Sequence, residues 1–165
     1  IDEGMDSGPL IKQKKVNINL ADHVADLQGK MAKATVHLLE EVVRLFEELK
    51  FPGTPQDHTL ASYTHPRRPD MGLIDWHKTA VFLHNFIRGQ SYPYNGAFTY
   101  NGMTKVVAWK SSIYHSVAVQ DMPGRVLKES YAGVYLVQTG EGVLELKLEP
   151  KDDRFLIRAG ETVLG

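Results

Sequence analysis

The chain has 165 residues, is 42% hydrophobic and 24% charged, and carries no cysteine. That composition excludes a disordered or collagen-like chain, a disulfide framework, a thiolate nucleophile and a Cys-ligated zinc site. No apolar run reaches about 18 residues, which excludes a membrane-spanning helix, and the net charge of −1 does not mark a globally basic nucleic-acid binder. A cytoplasmic location fits a chain without cysteine, without a signal-peptide pattern and without a membrane span.

Charge is split unevenly. Residues 1–60 sum to −3 and residues 61–165 to +2, so the two stretches read as different units. The chain opens on Ile1-Asp2-Glu3-Gly4 and ends at Val163-Leu164-Gly165, and both ends read as parts of something longer.

Residues 1–9 hold Gly4, Gly8 and Pro9 and read as a turn-rich loop. Leu10 to Ile18 alternates well enough for a strand. Val24, Leu27, Met31, Ala34, Leu38, Val42, Leu45 and Leu49 then step by three or four residues. That spacing predicts one apolar stripe on a helix of roughly 28 residues, about 42 Å long, with packing against a sheet favoured over a coiled-coil seam because the repeat is single and short. Asn19 is the expected N-cap, Asp22 suits the positive helix start, and Gly29 marks a bend or break. Residues 50–72, with Pro52, Gly53, Pro55, Pro66, Pro69 and Gly72, read as a linker.

A second helix is expected next, with Asp75 as N-cap, Ala80, Leu83, Phe86 and Ile87 as its apolar face and Gly89 as its stop. Short strands follow at Ala97–Tyr100, Lys105–Tyr114, Arg125–Glu129, Val134–Gln138 and Val143–Leu148. Turn signals at Asn101-Gly102, Pro123-Gly124, Gly133 and Gly140-Glu141-Gly142 separate them. This spacing predicts a small antiparallel barrel.

The seven histidines, His23, His37, His58, His65, His77, His84 and His115, lack metal-ligand spacing, so surface or hydrogen-bonded roles are expected and no metal site is assigned. No nucleophile elbow, phosphate loop or dinucleotide fingerprint is present. Tyr92, Tyr94, Phe98, Tyr100 and Trp109 near Lys105 and Lys110 fit a barrel core better than a base-stacking face. Arg67 and Arg68 suit either bidentate grip of an anion or plain solvation. The carboxylates of Asp2, Glu3 and Asp6 lie within five residues among glycines, in a loop able to orient a histidine or a water, or simply exposed.

The opening turn, Asp2-Glu3-Gly4-Met5-Asp6-Ser7-Gly8-Pro9, resembles the D-E-x-x-D-x-G-P-I segment of the folate-dependent formyltransferases. A second, longer match runs from Arg67-Arg68-Pro69-Asp70-Met71-Gly72-Leu73-Ile74-Asp75-Trp76-His77-Lys78 through His84-Asn85-Phe86-Ile87-Arg88-Gly89 and Pro93-Tyr94-Asn95-Gly96-Ala97-Phe98-Thr99-Tyr100. Val107-Ala108-Trp109-Lys110 and Gly140-Glu141-Gly142-Val143-Leu144 extend it.

The resemblance implies an α+β chain in three parts. Residues 1–60 would be the C-terminal part of a Rossmann-like catalytic domain, contributing its trailing strand and helix. Residues 61–90 would be a linker and helix, and residues 91–165 an OB-like β-barrel. It also implies transfer of a formyl group from 10-formyltetrahydrofolate to a primary amine. Asp6 matches the family's catalytic Asp, which charges a His. Asp2, Glu3, Gly4, Met5 and Asp6 match the loop that wraps the pterin ring.

The family's Asn and His sit in an N-x-H-P-S-x-L-P motif that this sequence lacks. The 165 residues are therefore expected to be inactive without the missing N-terminal half of the catalytic domain. The linker and the Trp76–Tyr100 stretch resemble the formyltransferases of nucleotide-linked amino sugars, with Arg67 and Arg68 as acceptor-binding residues. Methionyl-tRNA formyltransferase, with a tRNA-engaging barrel, and a 10-formyltetrahydrofolate hydrolase share the architecture and remain the alternatives.

Overall fold

The computed structural model describes residues 3–48, 50, 53–115, 120–150 and 157–165. The chain divides into two compact units, one of Ile1–Ile18 and Asp26–Pro66, the other of Asn19–Ala25 and Arg67–Gly165. Asp2 and Leu49 lie outside the described residues.

Helix α1, Val24–Glu47, dominates the first unit. The predicted stripe is largely half-buried and no residue of α1 is fully buried, so the described residues do not themselves supply the sheet it is expected to pack against. A second apolar row, Val36, Leu39, Val43 and Phe46, stands exposed on the same helix. The helix runs unbroken through Gly29, where a side chain would meet nothing within 4 Å, so the glycine makes neither a bend nor a close packing contact.

Asn19 is not an N-cap. It closes a reverse turn with Asp22, whose carboxylate accepts from the Asn19 N–H at 2.6 Å while the Asp22 N–H donates to the Asn19 carbonyl at 3.1 Å. The acidic residue in the first helical turn is Asp26.

The strand expected at Leu10–Ile18 is reduced to one antiparallel bridge between Leu10 and Thr54, closed by two bonds of 2.9 Å. A strand exists only through a neighbour's N–H and C=O groups, and among the described residues 11–18 find no such ladder. Lys12 instead pairs with Glu41 on α1 at 2.9 Å, and the Lys30 ammonium donates to the Asn17 carbonyl at 3.3 Å.

The second unit is a sheet with a helix on it. Helix α2, Ala80–Gln90, starts at Thr79 and not at Asp75; the Thr79 hydroxyl oxygen accepts from the Phe82 N–H. The choice is tertiary, because the Ala80 N–H donates to the Glu141 carbonyl at 2.8 Å and pins the first turn there. Asp75 accepts instead from the His77 N–H in a local turn. Ala80, Leu83 and Ile87 are buried as expected, Phe86 packs against the same core, and the helix passes through Gly89 before ending.

The strands are β1 Ala97–Asn101, β2 Thr104–Tyr114, β3 Val126–Tyr131, β4 Val134–Gln138 and β5 Val143–Pro150. They form one antiparallel sheet in the order β1-β2-β5-β4-β3. Hairpin turns carry Gly102 at φ 56° and Gly133 at φ 77°, the left-handed conformation that these tight reversals require and glycine adopts freely.

The five strands do not close into the expected barrel: β1 and β3 are the sheet's two ends and do not pair. The C-terminal segment occupies the gap. Gly165 and Tyr100 exchange two bonds of 3.0 Å on β1, and on the β3 side Leu164 donates to Gly124 at 2.9 Å and Val126 to Thr162 at 3.0 Å. An irregular segment thus satisfies edge groups that would otherwise stay open. Inside lie Ile74, Trp76, Leu83, Ile87, Val106, Val126, Val137, Leu144, Leu146 and Leu164.

Among the described residues no helix is long and apolar enough to cross a membrane, and no group of three or more His, Asp and Glu is arranged to hold a metal ion.

Candidate functional site

Glu3, Gly4, Met5 and Asp6 lie together on one exposed turn of the first unit. Asp6 has φ 56° and is the one non-glycine residue with positive φ among the described residues. Asp tolerates this region better than most L-residues, and such a conformation persists where the surroundings enforce it.

The enforcement comes from residues 53–56. The bridge from Thr54 to Leu10 ties the two segments together. A side chain at Gly53 would have its Cβ 3.0 Å from the Pro9 Cβ, so glycine permits the close approach. The Gln56 side-chain amide donates to the Asp6 carbonyl at 2.9 Å and to the Gly8 carbonyl at 2.7 Å. No local sequence signal singles out Gln56; it lies about fifty residues from the turn and is found only by folding.

Next to Gln56, Asp57 caps the one-turn helix His58–Leu60. Its carboxyl is held below the ordinary value by the Thr59 hydroxyl, then by the Thr59 N–H.

The same unit carries a groove of about 310 Å³ whose lining includes Lys14, Lys15, Lys30, Lys33 and His37 and no carboxylate. Sequence counting assigned residues 1–60 a net negative charge and missed this patch, because segregation depends on which residues the fold brings side by side.

In the second unit Arg67 and Arg68 are exposed, and Arg68 reaches Asp70 at 3.4 Å. Such an exposed pair holds its geometry weakly. Of the aromatic group, Phe98 is buried, with the Lys105 ammonium 3.6 Å from its ring centroid, whereas Tyr92 and Tyr94 are exposed. Tyr100 on β1 is exposed as well and Trp109 is half-buried, so the expected core role fails for the three tyrosines, while Phe98 is buried but stands outside the main core cluster.

His84 is a buried, hydrogen-bonded histidine: its ring lies 2.9 Å from the Ser111 hydroxyl and 2.8 Å from the Leu20 carbonyl. A cleft of about 840 Å³ lies beside the start of α2, with Thr79, Glu141, Asp121 and Gln138 among its lining residues.

Residues 67–160 match the family described as Formyl transferase, C-terminal domain, and the chain belongs to that family. It is also similar to a methionyl-tRNA formyltransferase of Desulforamulus reducens, 35% identical over 147 residues, an alignment covering 89% of this chain and 46% of the relative. The chain thus spans about half the length of that relative.

Among solved structures, a multiply substituted variant of HypX from Aquifex aeolicus matches with a TM-score of 0.72 at 15% identity, over 99% of this chain and 27% of HypX. HypX from the same organism in complex with tetrahydrofolic acid matches with a TM-score of 0.67 at 14% identity, again over 99% of this chain and 27% of HypX. These structural likenesses concern the fold.

Proposed function

We propose that this chain is the C-terminal portion of an N-formyltransferase that uses 10-formyltetrahydrofolate, with the turn around Asp6 as its contribution to the catalytic site. The observation that carries the reading is the turn itself. It pairs the sequence Asp2–Pro9 with an enforced left-handed Asp6, in a chain of the formyltransferase family.

In this reading residues 1–60 complete a Rossmann-like domain whose first half lies upstream, and residues 91–165, with their open five-stranded sheet, act as the family's C-terminal module. The half-open face of α1 and the unladdered segment 11–18 are the surfaces such a half would cover. The turn fits the folate: Glu3 to Asp6 are exposed, and a ring laid against them meets backbone groups without displacing a packed core.

The chemistry asks for a group that manages protons while an amine attacks the formyl carbon and negative charge grows on the formyl oxygen. Bound 10-formyltetrahydrofolate would supply the formyl group, its formyl C–N bond breaking as the amine loses a proton, and would leave as tetrahydrofolate. Asp6 supplies a fixed anion beside a histidine of the upstream half, which raises that histidine's proton affinity. Asp2, Glu3, Gly4 and Met5 hold the pterin ring.

The acceptor in the first reading is an amino sugar linked to a nucleotide, on the strength of the Arg67-Arg68 pair and the Trp76–Tyr100 stretch. A second reading, methionyl-tRNA, is favoured by the 35% identical relative and by the lysine-lined groove, since RNA phosphates select such a surface. The hydrolase alternative gains no separate support from the geometry.

Full-length protein, 10-formyltetrahydrofolate and each acceptor at modest salt test the assignment. Formylation of a nucleotide amino sugar is expected. Turnover on methionyl-tRNA alone, weakening steeply with salt, would replace the acceptor; no formyl transfer to any amine would remove the activity.

A further inference from the structure

We infer that Gln56 is the positioning residue for the turn that carries Asp6, an inference that rests on the formyl-transfer reading above. A side-chain amide has two N–H donors, and here both are used on one turn, at the Asp6 and Gly8 carbonyls, at 2.9 and 2.7 Å. The two carbonyls belong to the Asp6–Ser7 and Gly8–Pro9 peptide units, so one planar group orients the chain at both ends of the Ser7-Gly8 pair. Asp6 needs that constraint, because its left-handed φ of 56° is not the resting conformation of an L-residue.

The surroundings separate this role from plain folding. From residue 53 to residue 60 the chain is exposed except at Gln56, which is half-buried with its amide directed into the turn. The backbone docking is supplied independently by the Leu10–Thr54 pair. Removing the amide therefore leaves residues 9–10 attached to 53–54 and takes two hydrogen bonds from the turn that carries Asp6.

The geometry also selects the residue type. Glutamate offers only acceptors when ionised and would face two carbonyl oxygens. Asparagine is one methylene shorter. Methionine keeps the length and shape of glutamine and donates nothing.

The Gln56→Met and Gln56→Glu variants of the full-length protein test this, alongside Asp6→Asn and the Gln56→Met/Asp6→Asn double variant. The expected result for each Gln56 variant is a loss of about 10- to 100-fold in kcat/KM for 10-formyltetrahydrofolate, the size that small misplacements produce. Tetrahydrofolate should bind more weakly, amide exchange over residues 4–8 should accelerate, and the thermal midpoint should move by only a few degrees.

If Gln56 acts through Asp6, adding Gln56→Met to Asp6→Asn should cost much less than it costs alone. Wild-type activity with a Gln56→Met variant within twofold of it, or a fully additive double variant, would overturn the positioning role. A wild-type protein that neither binds tetrahydrofolate nor transfers formyl would overturn the activity beneath it, a different and recognisable failure.

Discussion

The ring of His84 on α2 reaches the backbone of Leu20, sixty-four residues earlier, with Nε2 2.8 Å from the Leu20 carbonyl oxygen. A carbonyl only accepts, so Nε2 carries a proton and donates; Nδ1, 2.9 Å from Ser111, uses the hydroxyl on the other side. Arg88, one turn further along α2, donates to the Asn19 and Asp22 carbonyls at 2.8 and 2.9 Å. Together they hold the reverse turn at Asn19–Asp22 against the helix. His84→Leu should keep much of the bulk and strand the Leu20 carbonyl and Ser111 hydroxyl. A loss of about 1–3 kcal/mol is expected in urea unfolding, the cost of buried polar groups left unpaired. A change under half of that lower bound would show that the bonds contribute no net stability.

Trp76 and Thr99 form the core's side-chain hydrogen bond between the segment before α2 and β1. The indole N–H donates to the Thr99 hydroxyl at 3.0 Å, and both residues are buried. Thr99→Val preserves the shape and removes the acceptor. It should cost about 1–3 kcal/mol, whereas Thr99→Ser, which keeps the hydroxyl, should recover much of that loss. Thermal unfolding of the two variants side by side checks the expectation, and equal midpoints would contradict it.

Tyr135 predicts an alkaline limit to stability. Burial first, then the charge and hydrogen bonding of Glu129, push its phenol above the ordinary value. The folded chain then keeps the proton after the unfolded chain has begun to release it. The resulting stability is complete below the unfolded value of about 10 and is lost as pH rises through the folded one. Tyr135→Phe should flatten the fall in urea midpoint above about pH 10, and a slope identical to wild type would contradict this.

Asp6→Asn is the sharpest test of the proposed chemistry. Asn tolerates the left-handed conformation as Asp does, so the turn should persist while the anion disappears. The partner histidine would lose the charge that sustains its basicity, and formyl transfer should fall by about a hundredfold. Initial rates across neutral pH measure it, and an unchanged profile would take Asp6 out of the mechanism.

Periodicity carried far in this chain. Five strands and two helices emerge at positions close to those their patterns indicate, because alternation and the three-to-four step report which side chains must share a face. Where partners decide, the pattern fell short. Asp75 has the chemistry of an N-cap, yet α2 starts at Thr79, because Glu141 offers its carbonyl to Ala80. Leu10–Ile18 alternates like a strand, yet among the described residues it finds one bridging partner, Thr54. The barrel expected from strand count is an open sheet with the C-terminal segment in the gap.

The candidate site divides the same way. Its carboxylates and glycines were legible as a motif, since side-chain chemistry is local. The left-handed Asp6, the Gln56 amide on two carbonyls and the gathering of Lys14, Lys15, Lys30 and Lys33 were not, since each depends on residues distant in sequence meeting in space. By itself the sequence determined which segments would be helix or strand and which residues bear chemistry. Only the tertiary structure decided caps, sheet closure and the holding of the turn, because hydrogen-bond donors and acceptors choose among partners that only the fold supplies.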